Sequence, residues 1–260
     1  MGAAENNYTF VTILGSGTCV PSLARSSCSV FLNVGGVNLL FDSGAGTIQR
    51  LLQAGVGIFD LSYLFLSHFH PDHSGEVASL LFSMKYPEQR KTPFCLVGGR
   101  GLVQFYSALK GAHGEWIDPG PDILKLIEMD NLAFDRIVFD NFTVTSAPVS
   151  HNAESIAYKV SDMNGKSFVY SGDTDFSENL ISLAKDVDLL ICESAFPDDL
   201  KVPGHLTPSL AGEIATRANV KKLVLTHFYP ECEDADMEGE CRKTYAGPLV
   251  LAKDLMKIEL

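Results

Sequence analysis

The sequence predicts an α/β protein, an αββα sandwich in which two mixed β-sheets pack face to face and helices cover the outer faces. Two observations support this fold class. Short strand-like segments, several of them paired around tight turns, recur along the chain with helical segments between them. Hydrophobic residues make up 46% of the 260 residues, which is enough for a large core. Gly and Pro are spread along the chain rather than concentrated in a linker, so we expect one domain over residues 1–260.

The strand prediction rests on short apolar runs that are bounded by turn residues. The clearest case is the pair of runs around Gly35-Gly36, because a Gly-Gly turn between two such runs is a strong hairpin signal. The run at residues 61–67 is nearly continuous, as expected of a strand covered on both faces, and it places His68 at its C-terminal end. The predicted strands are residues 10–14, 29–34, 37–41, 61–67, 93–97, 137–139, 142–146, 155–160, 166–171, 189–192 and 223–226.

The helix prediction rests on helical spacing of apolar residues together with stop signals. One pattern ends at Gly55 and another near Pro87, and both residue types commonly end helices. A third pattern opens with the Gly-rich segment 98–101. The predicted helices are residues 47–54, 75–85, 98–110 and 208–218.

The chain is strongly acidic, with a formal net charge of -12 at pH 7. Such a charge repels polyphosphate backbones, which disfavours a protein that holds nucleic acid on a broad basic face. A small phosphate ester stays compatible with this charge, because two bound divalent ions would offset part of it locally.

The N-terminus shows no targeting signal. Residues 1–7 contain no basic segment followed by an apolar core, so they do not form a secretory signal. Gly2 is not followed by the Ser or Thr that a myristoylation signal needs. The chain also has no apolar run of about 18 residues, the length that a membrane span requires. We therefore expect no membrane span and a cytoplasmic protein.

The six cysteines form no Cys-x-x-Cys pair. We expect them to be reduced and to serve mostly as small core residues. Cys232 and Cys241 lie in one loop among acidic residues, so a disulfide or a small additional metal site is an open alternative for this pair.

The run His68-Phe69-His70-Pro71-Asp72-His73 carries the strongest chemical signal. Imidazole nitrogens and carboxylate oxygens are the usual ligands of zinc-like ions, and this run places four such donors in one turn directly after a buried strand. Pro71 limits the backbone and helps to hold the donors in place. The run therefore predicts a metal site.

Three further histidines follow strand-like or Gly-marked segments, namely His151, His205 and His227. Loops at strand ends are a common place for binding residues. Taken alone, each is better explained as a structural histidine, but together with the metal-binding run each is predicted to join the site. His113 has no such context, and we expect it on the surface.

Asp173 ends another short strand. A carboxylate can bridge two cations, whereas an imidazole normally binds one. The alternative role is the N-cap of the following helix. Asp175 or Ser177 could supply that cap instead, which would leave Asp173 free for the site.

The metal-binding run, taken with His151, Asp173 and His227, resembles the metal signature of the metallo-β-lactamase superfamily, and the resemblance spans nearly the whole chain. Within the superfamily, the chain is most similar to the ribonuclease Z (tRNase Z)-like phosphodiesterase branch. Glu193 followed by His205 resembles the paired Glu/His motif of that branch. Further segments that resemble it are residues 14–18, 40–47, 66–75, 204–207 and 245–256.

The resemblance implies the metallo-β-lactamase fold and a metal-dependent hydrolase with two divalent metal ions. We expect Zn²⁺, with Mn²⁺ or Fe as alternatives. It also implies that Asp173 bridges the ions and that Asp42 orients a ligand histidine, although a buried structural Asp fits that position nearly as well. The implied ligands are His68, His70 and His151 for the first ion and Asp72, His73 and His227 for the second. The implied catalytic residues are Asp72, Glu193 and His205.

The leading hypothesis for function is a phosphodiesterase that uses a dinuclear metal-bridged hydroxide. In this hypothesis, His205 is hydrogen-bonded to Glu193 and protonates the leaving alkoxide. A second hypothesis is hydrolysis of a thioester, a lactone or another carboxylic ester or amide at the same metal centre. A tRNA 3′-processing endoribonuclease and a metal-binding module without catalysis also stay open at this point.

Two departures from the branch disfavour tRNA as a substrate. Members that process tRNA often carry a projecting Gly/Pro-rich arm, in some branches between the third and fourth metal motifs. Here the 22 positions from His151 to Asp173 hold only two predicted strands and a turn. The residues around Glu193 also differ from the usual His-Glu-Ala-Thr. We therefore expect a small phosphodiester or another small ester as the substrate, no membrane partner, and a homodimer as an open alternative.

Overall fold

The computed structural model describes residues 10–260, so the predictions about targeting signals in residues 1–7 lie outside the described residues. The strands are β1 Phe10–Gly15, β2 Ser29–Val34, β3 Val37–Phe41, β4 Leu61–Phe65, β5 Phe94–Gly99, β6 Leu124–Met129, β7 Asp135–Val138, β8 Phe142–Pro148, β9 Ile156–Asp162, β10 Ser167–Tyr170, β11 Leu189–Glu193, β12 Leu223–Thr226, β13 Leu249–Leu251 and β14 Met256–Glu259. The α-helices are α1 Thr47–Gln53, α2 Pro71–Ser74, α3 Val77–Ser83, α4 Leu102–His113, α5 Glu178–Leu183, α6 Pro208–Arg217 and α7 Met237–Arg242.

The strands form two seven-stranded sheets. The strand order is β14-β1-β2-β3-β4-β5-β6 in the first sheet and β13-β12-β11-β10-β9-β8-β7 in the second. Each sheet is mixed, because antiparallel pairs such as β2–β3 and β8–β9 adjoin parallel runs from β3 to β6 and from β10 to β13. Parallel neighbours need long crossover connections, and the helices supply them. The predicted αββα sandwich is confirmed, and the single domain over residues 1–260 stays a prediction.

The hairpin predicted around Gly35-Gly36 is also confirmed. Val34 at the end of β2 pairs with Val37 at the start of β3, so only the two glycines form the turn. Both have positive φ, 55° at Gly35 and 78° at Gly36. A two-residue turn of this kind needs positive φ at both central positions, which glycine adopts without steric cost.

Side-chain alternation along β3 and β4 fills two separate hydrophobic clusters. Phe41 lies in the cluster between the sheets, where its ring meets that of Phe168 edge-on at 5.3 Å. The preceding residue, Leu40, packs in the other cluster, beneath the outer helices of the first sheet. Phe65 and Leu64 repeat this division in β4. Both faces of β4 are therefore buried, which explains its continuous apolar sequence.

The structure corrects the sequence-based elements at several places. The sequence pattern predicts that Gly98 and Gly99 open a helix, but they end β5 and pair with Glu128 and Met129 of β6. The helix starts only after Gly101, whose φ of 104° lies outside the helical region. The pattern does not predict β6, β13, β14, α5 and α7. The three strands among these lie at sheet edges, where less apolar patterning is required.

All six cysteines are free, as expected from the sequence. The disulfide considered for Cys232 and Cys241 is therefore wrong, and both side chains are buried. Among residues 10–260, neither belongs to a cluster of possible metal ligands. The same residues contain no helix that is both long and apolar enough to cross a membrane.

The C-terminal ends of β4, β8, β10, β11 and β12 gather at one edge of the sandwich. At this edge the backbone N–H of Ile156 donates to the carbonyl of Ser67 at 3.0 Å, so the two sheets are joined there by a hydrogen bond. Gly172 permits the close approach, because a Cβ at this position would lie 2.4 Å from the Cβ of Ser67. The loops that follow these strands therefore meet in one place.

Candidate metal centre

All seven predicted metal ligands lie in loops or turns that follow these strand ends. The short turn α2 begins at Pro71 and carries Asp72 and His73 into the site. His151 follows β8, Asp173 follows β10 and His227 follows β12. Ser177 caps α5 by accepting from the N–H of Leu180 at 3.3 Å, so the alternative role of Asp173 as the helix N-cap is excluded.

The seven side chains converge in two adjoining groups. The ligand atoms of each group lie within 4.8 Å of one another. One group contains His68, His70, His151 and Asp173, and the other contains Asp72, His73 and His227. These are the two sets that the family resemblance implies for the first and second ion.

Asp173 lies between the two groups, and each of its oxygens faces one of them. Its Oδ1 lies 3.1 Å from Nε2 of His73 and 3.3 Å from Nε2 of His227. Its Oδ2 lies 3.7 Å from Nε2 of His68 and 3.9 Å from Nε2 of His151. This is the position that a carboxylate bridging two cations would occupy.

Hydrogen bonds determine which nitrogen of His68 and His73 can bind a metal. Nδ1 of His73 donates to Oδ2 of Asp42 at 2.6 Å, which leaves Nε2 with its lone pair. The hydroxyl of Ser67 donates to the same carboxylate at 2.7 Å, so its oxygen accepts from Nδ1 of His68 at 3.0 Å. Nε2 of His68 is then also free to act as a ligand.

A second pair of contacts orients His151 and His70. Nδ1 of His151 donates to the carbonyl of Gly204 at 2.8 Å, so its Nε2 carries the lone pair. His70 presents Nδ1 to the group, 3.3 Å from Nε2 of His151, while its Nε2 lies 2.8 Å from the amide nitrogen Nδ2 of Asn152. A His70 that binds a metal through Nδ1 carries its proton on Nε2, so this contact requires the Asn152 amide to be rotated by 180° and to accept through its oxygen.

His227 departs from this pattern. Its Nε2 faces the second group, but its buried Nδ1 has no hydrogen-bond partner among the described residues. The backbone at His227 is strained, because its φ of 62° lies in the left-handed region that a non-glycine residue rarely adopts. Strained backbone of this kind is concentrated at functional sites.

The residues fit a pair of divalent cations on two counts. Within residues 10–260, Nε2 of His68 is buried without a hydrogen-bond partner, although it lies among the nitrogen and oxygen atoms of the other predicted ligands. Buried polar atoms without partners are rare unless an ion or water completes them. The donor set of imidazoles and carboxylates is also the set that zinc-like ions prefer.

The electrostatics of four predicted ligands match the protonation states that metal binding requires, whereas at His73 the carboxylates of Asp173 and Asp42 outweigh burial and raise the pKa of the imidazole. Burial, reinforced by neighbouring histidines, lowers the pKa of both His68 and His70, so these imidazoles are neutral. The pKa of Asp72 falls to about 2: burial works against this shift, but His227 and His73 outweigh it. The pKa of Asp173 is also held low, because His227 and His73 outweigh its burial.

Asp42 is the central acceptor beneath the site. Its fully buried carboxylate accepts from the backbone N–H and the hydroxyl of Ser67, from Nδ1 of His73 and from the hydroxyl of Tyr170, at 2.6–2.7 Å. Asp42 therefore contacts His73, one of the predicted ligands, directly and His68 indirectly through Ser67.

Glu193 and His205 form the predicted pair at the edge of the metal groups. Oε1 of Glu193, the last residue of β11, lies 3.1 Å from Nδ1 of His205. The carboxylate also accepts from the backbone N–H groups of Thr174 at 2.6 Å and Leu206 at 3.1 Å, which holds it in place. Burial lowers the pKa of His205, but Glu193 outweighs this effect and the net shift is upward.

His205 also belongs to the geometry of the metal groups. It stacks on His227, with ring centroids 5.6 Å apart and planes at 14°. One of its ring nitrogens lies within 4.8 Å of a carboxylate oxygen of Asp173 and of a ring nitrogen of His227. With Nδ1 bonded to Glu193, Nε2 is the ring nitrogen that is left to carry a proton to a substrate. His113 is exposed at the end of α4, as expected.

Sequence reasoning missed the residues that orient the ligands from outside the motif. Ser67, Asn152, Gly172 and Gly204 all contact ligand histidines or their loops. Each is adjacent in sequence to a predicted site residue, and Ser67 and Gly204 also lie in segments that resemble the branch. A small polar residue or a glycine is too common in loops for this adjacency to be a specific signal.

The known proteins that this chain is similar to belong to the family that its sequence resembles. Residues 37–228 match the family model described as the beta-lactamase superfamily domain. The ribonuclease Z of Methanosarcina acetivorans is 26% identical over 314 aligned positions, which cover 96% of this chain and 97% of the relative. That alignment has 314 positions and the chain has 260 residues, so at least 54 positions of the relative have no counterpart here.

Solved structures of similar fold cover nearly the whole chain. The metallo-beta-lactamase fold protein YhfI from Bacillus subtilis superimposes with a TM-score of 0.84 and 22% identity, covering 97% of this chain and 100% of that protein. The short form of human tRNase Z gives a TM-score of 0.77 and 26% identity, covering 96% of this chain and 98% of that one.

Proposed function

This chain belongs to the β-lactamase superfamily, in its ribonuclease Z-like branch, and from that membership and the site geometry we propose that it is a phosphodiesterase with two divalent metal ions. It is a metal-dependent hydrolase. The assignment to phosphodiesters rests on the pair formed by His205 and Glu193 beside the metal groups. A proton donor at this point is needed when the leaving group is an alkoxide.

The metal ions are assigned to the two groups of side chains. His68, His70 and His151 would hold the first ion, Asp72, His73 and His227 would hold the second, and Asp173 lies where it could bind both. The ions supply Lewis acidity and an activated water at neutral pH. We expect Zn²⁺, because the donor set combines imidazole nitrogen with carboxylate oxygen.

The protein side chains supply and position the proton that the leaving group needs. Water adds to phosphorus while the bond from phosphorus to the leaving oxygen breaks, and the proton on His205 passes to that oxygen. Glu193 keeps His205 in the tautomer that carries this proton on Nε2 and stabilises the charged ring. The proton lost by the attacking water restores His205 after the products leave. Asp72 would hold an ion, and its carboxylate adds negative charge close to His227.

A small phosphodiester is favoured over tRNA by what lies between His151 and Asp173. The two strands β9 and β10 and the turn between them fill this segment, so it has no projecting arm. The ribonuclease Z relative has at least 54 positions that are missing here, and the net charge of this chain is -12. The missing positions remove surface that could contact a large polyanion, and the negative charge repels one.

Processing of tRNA 3′ ends is the second candidate. It is favoured by relatives named ribonuclease Z that match this chain over nearly all of their length. Hydrolysis of a thioester, a lactone or another carboxylic ester is the third candidate, because the same metal centre can attack a carbonyl group.

The test is hydrolysis of two phosphodiesters by zinc- and manganese-loaded protein, with a chelated control. Bis(p-nitrophenyl) phosphate releases p-nitrophenolate, which is a good leaving group, whereas dithymidine phosphodiester must release an alkoxide. His205→Ala should lower turnover of the second compound by about 10²–10⁴-fold and that of the first only weakly, because only an alkoxide needs the proton.

Equal losses on both kinds of leaving group would refute the acid role of His205. The absence of any phosphodiester turnover in protein with two bound metals would refute the phosphodiesterase proposal and favour the carboxylic esters. Efficient cleavage of precursor tRNA without turnover of small diesters would favour the second candidate.

A further inference from the structure

Two aromatic side chains form a stacked pair at the rim of the metal centre. The rings of Phe196 and Tyr229 lie 4.3 Å apart between centroids, with planes at 21°. Both side chains are half-buried, so part of each ring stays open to solvent. The described hydrogen bonds of the proposed catalytic residues do not involve either ring, so the proposed reaction leaves this pair without a role.

The pair is held by the ends of two neighbouring strands. Phe196 lies beyond β11 and Tyr229 beyond β12, and the backbone N–H of Tyr229 donates to the carbonyl of Ala195 at 3.2 Å. The hydroxyl of Tyr229 lies 3.4 Å from Sγ of Cys19, in the loop after β1. Because hydrogen bonds hold both the backbone N–H and the hydroxyl of Tyr229, the position of its ring is fixed.

The stacked pair borders the proposed proton donor. The ring of His205 lies 6.4 Å from that of Phe196 and 6.3 Å from that of Tyr229, at 71° and 73° to their planes. The ring of His227 is also close to Tyr229, at 6.0 Å and 76°. The imidazole rings are therefore steeply inclined to the two aromatic rings, and the proposed proton donor, His205, lies between the metal groups and the aromatic pair.

From this arrangement, which rests on the proposed function, we propose that Phe196 and Tyr229 bind the leaving group of the substrate and that this group carries a nucleobase. The oxygen that receives the proton of His205 must lie within hydrogen-bond distance of that ring. The part of the leaving group beyond this oxygen then extends toward Phe196 and Tyr229. A planar base can continue an aromatic stack, whereas an aliphatic alcohol cannot.

The substrate class that follows is a small phosphodiester of a nucleoside. Stacking on aromatic side chains tolerates every base, so we expect little sequence preference. The acidic surface of the protein does not oppose such a ligand as it opposes a long polynucleotide, because a small diester carries a single negative charge.

The experiment compares dithymidine phosphodiester with two analogues that have an abasic tetrahydrofuran residue in place of one or the other nucleoside. The three compounds share the same phosphorus and the same class of leaving oxygen, and the product without phosphate identifies the leaving side. We expect the wild-type kcat/KM to fall about 5- to 100-fold when the base is missing on the leaving side, which corresponds to the usual contribution of one base stacked on an aromatic side chain.

Variants assign this preference to the pair. Phe196→Leu and Tyr229→Leu should lose the preference by lowering kcat/KM for the base-bearing diester, mostly through KM, with little change for the abasic analogue. Tyr229→Phe keeps the ring and should retain the preference. Phe82→Leu is the matched control, because Phe82 is exposed in another aromatic cluster, with Tyr86 and Trp116, and should change nothing.

The outcomes separate this proposal from the proposed function. If all three diesters are hydrolysed equally, or if the leucine variants lower all three rates together while unfolding at lower temperature, the pair is structural and the inference is wrong, although the phosphodiesterase stands. If no diester is hydrolysed by protein that binds two metals, both proposals fail.

Discussion

Nδ1 of His73 lies 2.6 Å from Oδ2 of Asp42, and both side chains are fully buried. The same carboxylate accepts from Ser67 and from Tyr170, so it connects both sheets to one ligand histidine. With its Nδ1 proton donated, His73 has only Nε2 left to face Asp173. The orientation of a proposed metal ligand is thus set by a residue that lies 31 positions away in the sequence.

The first prediction concerns this contact. Asp42→Asn keeps the shape of the side chain but removes its charge and one acceptor, so we expect metal affinity to fall about 10- to 100-fold, as is usual when a partner behind a ligand is lost. Competitive titration against a chelating dye measures it. Asp188→Asn is the control, because Asp188 accepts from Ser167 at the opposite end of β10 and pairs with Lys221. Equal affinities in both variants would contradict the role of Asp42.

The second prediction concerns the coupling of Glu193 to His205. If Glu193 acts through His205, replacing both residues costs no more than replacing His205 alone. Glu193→Gln should lower turnover of alkyl leaving groups more than that of p-nitrophenolate. The double variant with His205→Ala should match His205→Ala within about threefold. Losses that multiply would show that Glu193 contributes independently, for example by holding the Thr174 backbone.

The third prediction concerns the approach of the two sheets at Gly172. An alanine there would place its Cβ 2.4 Å from Cβ of Ser67, at a φ of 57°. We expect Gly172→Ala to lower the free energy of unfolding by about 1–3 kcal/mol beyond the cost of positive φ, because the loops that carry Gly172 and Ser67 must move apart. Urea unfolding measures this value for the metal-free protein.

Gly165→Ala is the matched control for that experiment. Gly165 has a φ of 83° in the turn between β9 and β10, and nothing lies within 4 Å of an added Cβ. It therefore reports only the backbone strain of an alanine at positive φ, about 1–2 kcal/mol. If the two variants lose the same stability, close contact at Gly172 is not important.

The fourth prediction concerns metal removal. Ions that bind only the folded state at about 100 times their dissociation constant add about 2.7 kcal/mol to its stability. For a chain of this size, chelation should then lower Tm by about 5–10 °C. Asp173→Asn should greatly reduce this shift, since Asp173 faces both groups. His113→Ala, which changes an exposed histidine at the end of α4, should preserve the full shift. A full shift in Asp173→Asn would argue against the bridging position.

Local patterns account for the parts of the fold that the sequence predicts correctly. The Gly35-Gly36 hairpin and the continuous apolar run of β4 can each be recognised from a few neighbouring residues. A two-residue turn requires particular residues at its centre, and a strand buried on both faces requires apolar residues at successive positions. The edge strands β6, β13 and β14 lack such a pattern. Their pairing depends on the strand beside them, so their sequences alone do not reveal it.

The sequence by itself determined the chemistry of the donors. Imidazoles and carboxylates at the ends of predicted strands indicated a metal site, and all seven predicted ligands do meet in two adjoining groups. For the four donors of residues 68–73 this follows from residue type and spacing, because a short run of ligands after a buried strand has little freedom to disperse. For His151, Asp173 and His227 it was implied by the family resemblance.

The tertiary structure alone decided which atom of each ligand faces the centre and what lies beside it. The tautomer of an imidazole follows from the partner of its other nitrogen, and those partners, Asp42 for His73 and Gly204 for His151, come from remote parts of the chain. The same is true of Phe196 and Tyr229, which meet because β11 and β12 are adjacent. Contacts between distant segments depend on the packing of the sheets, and no local pattern records them.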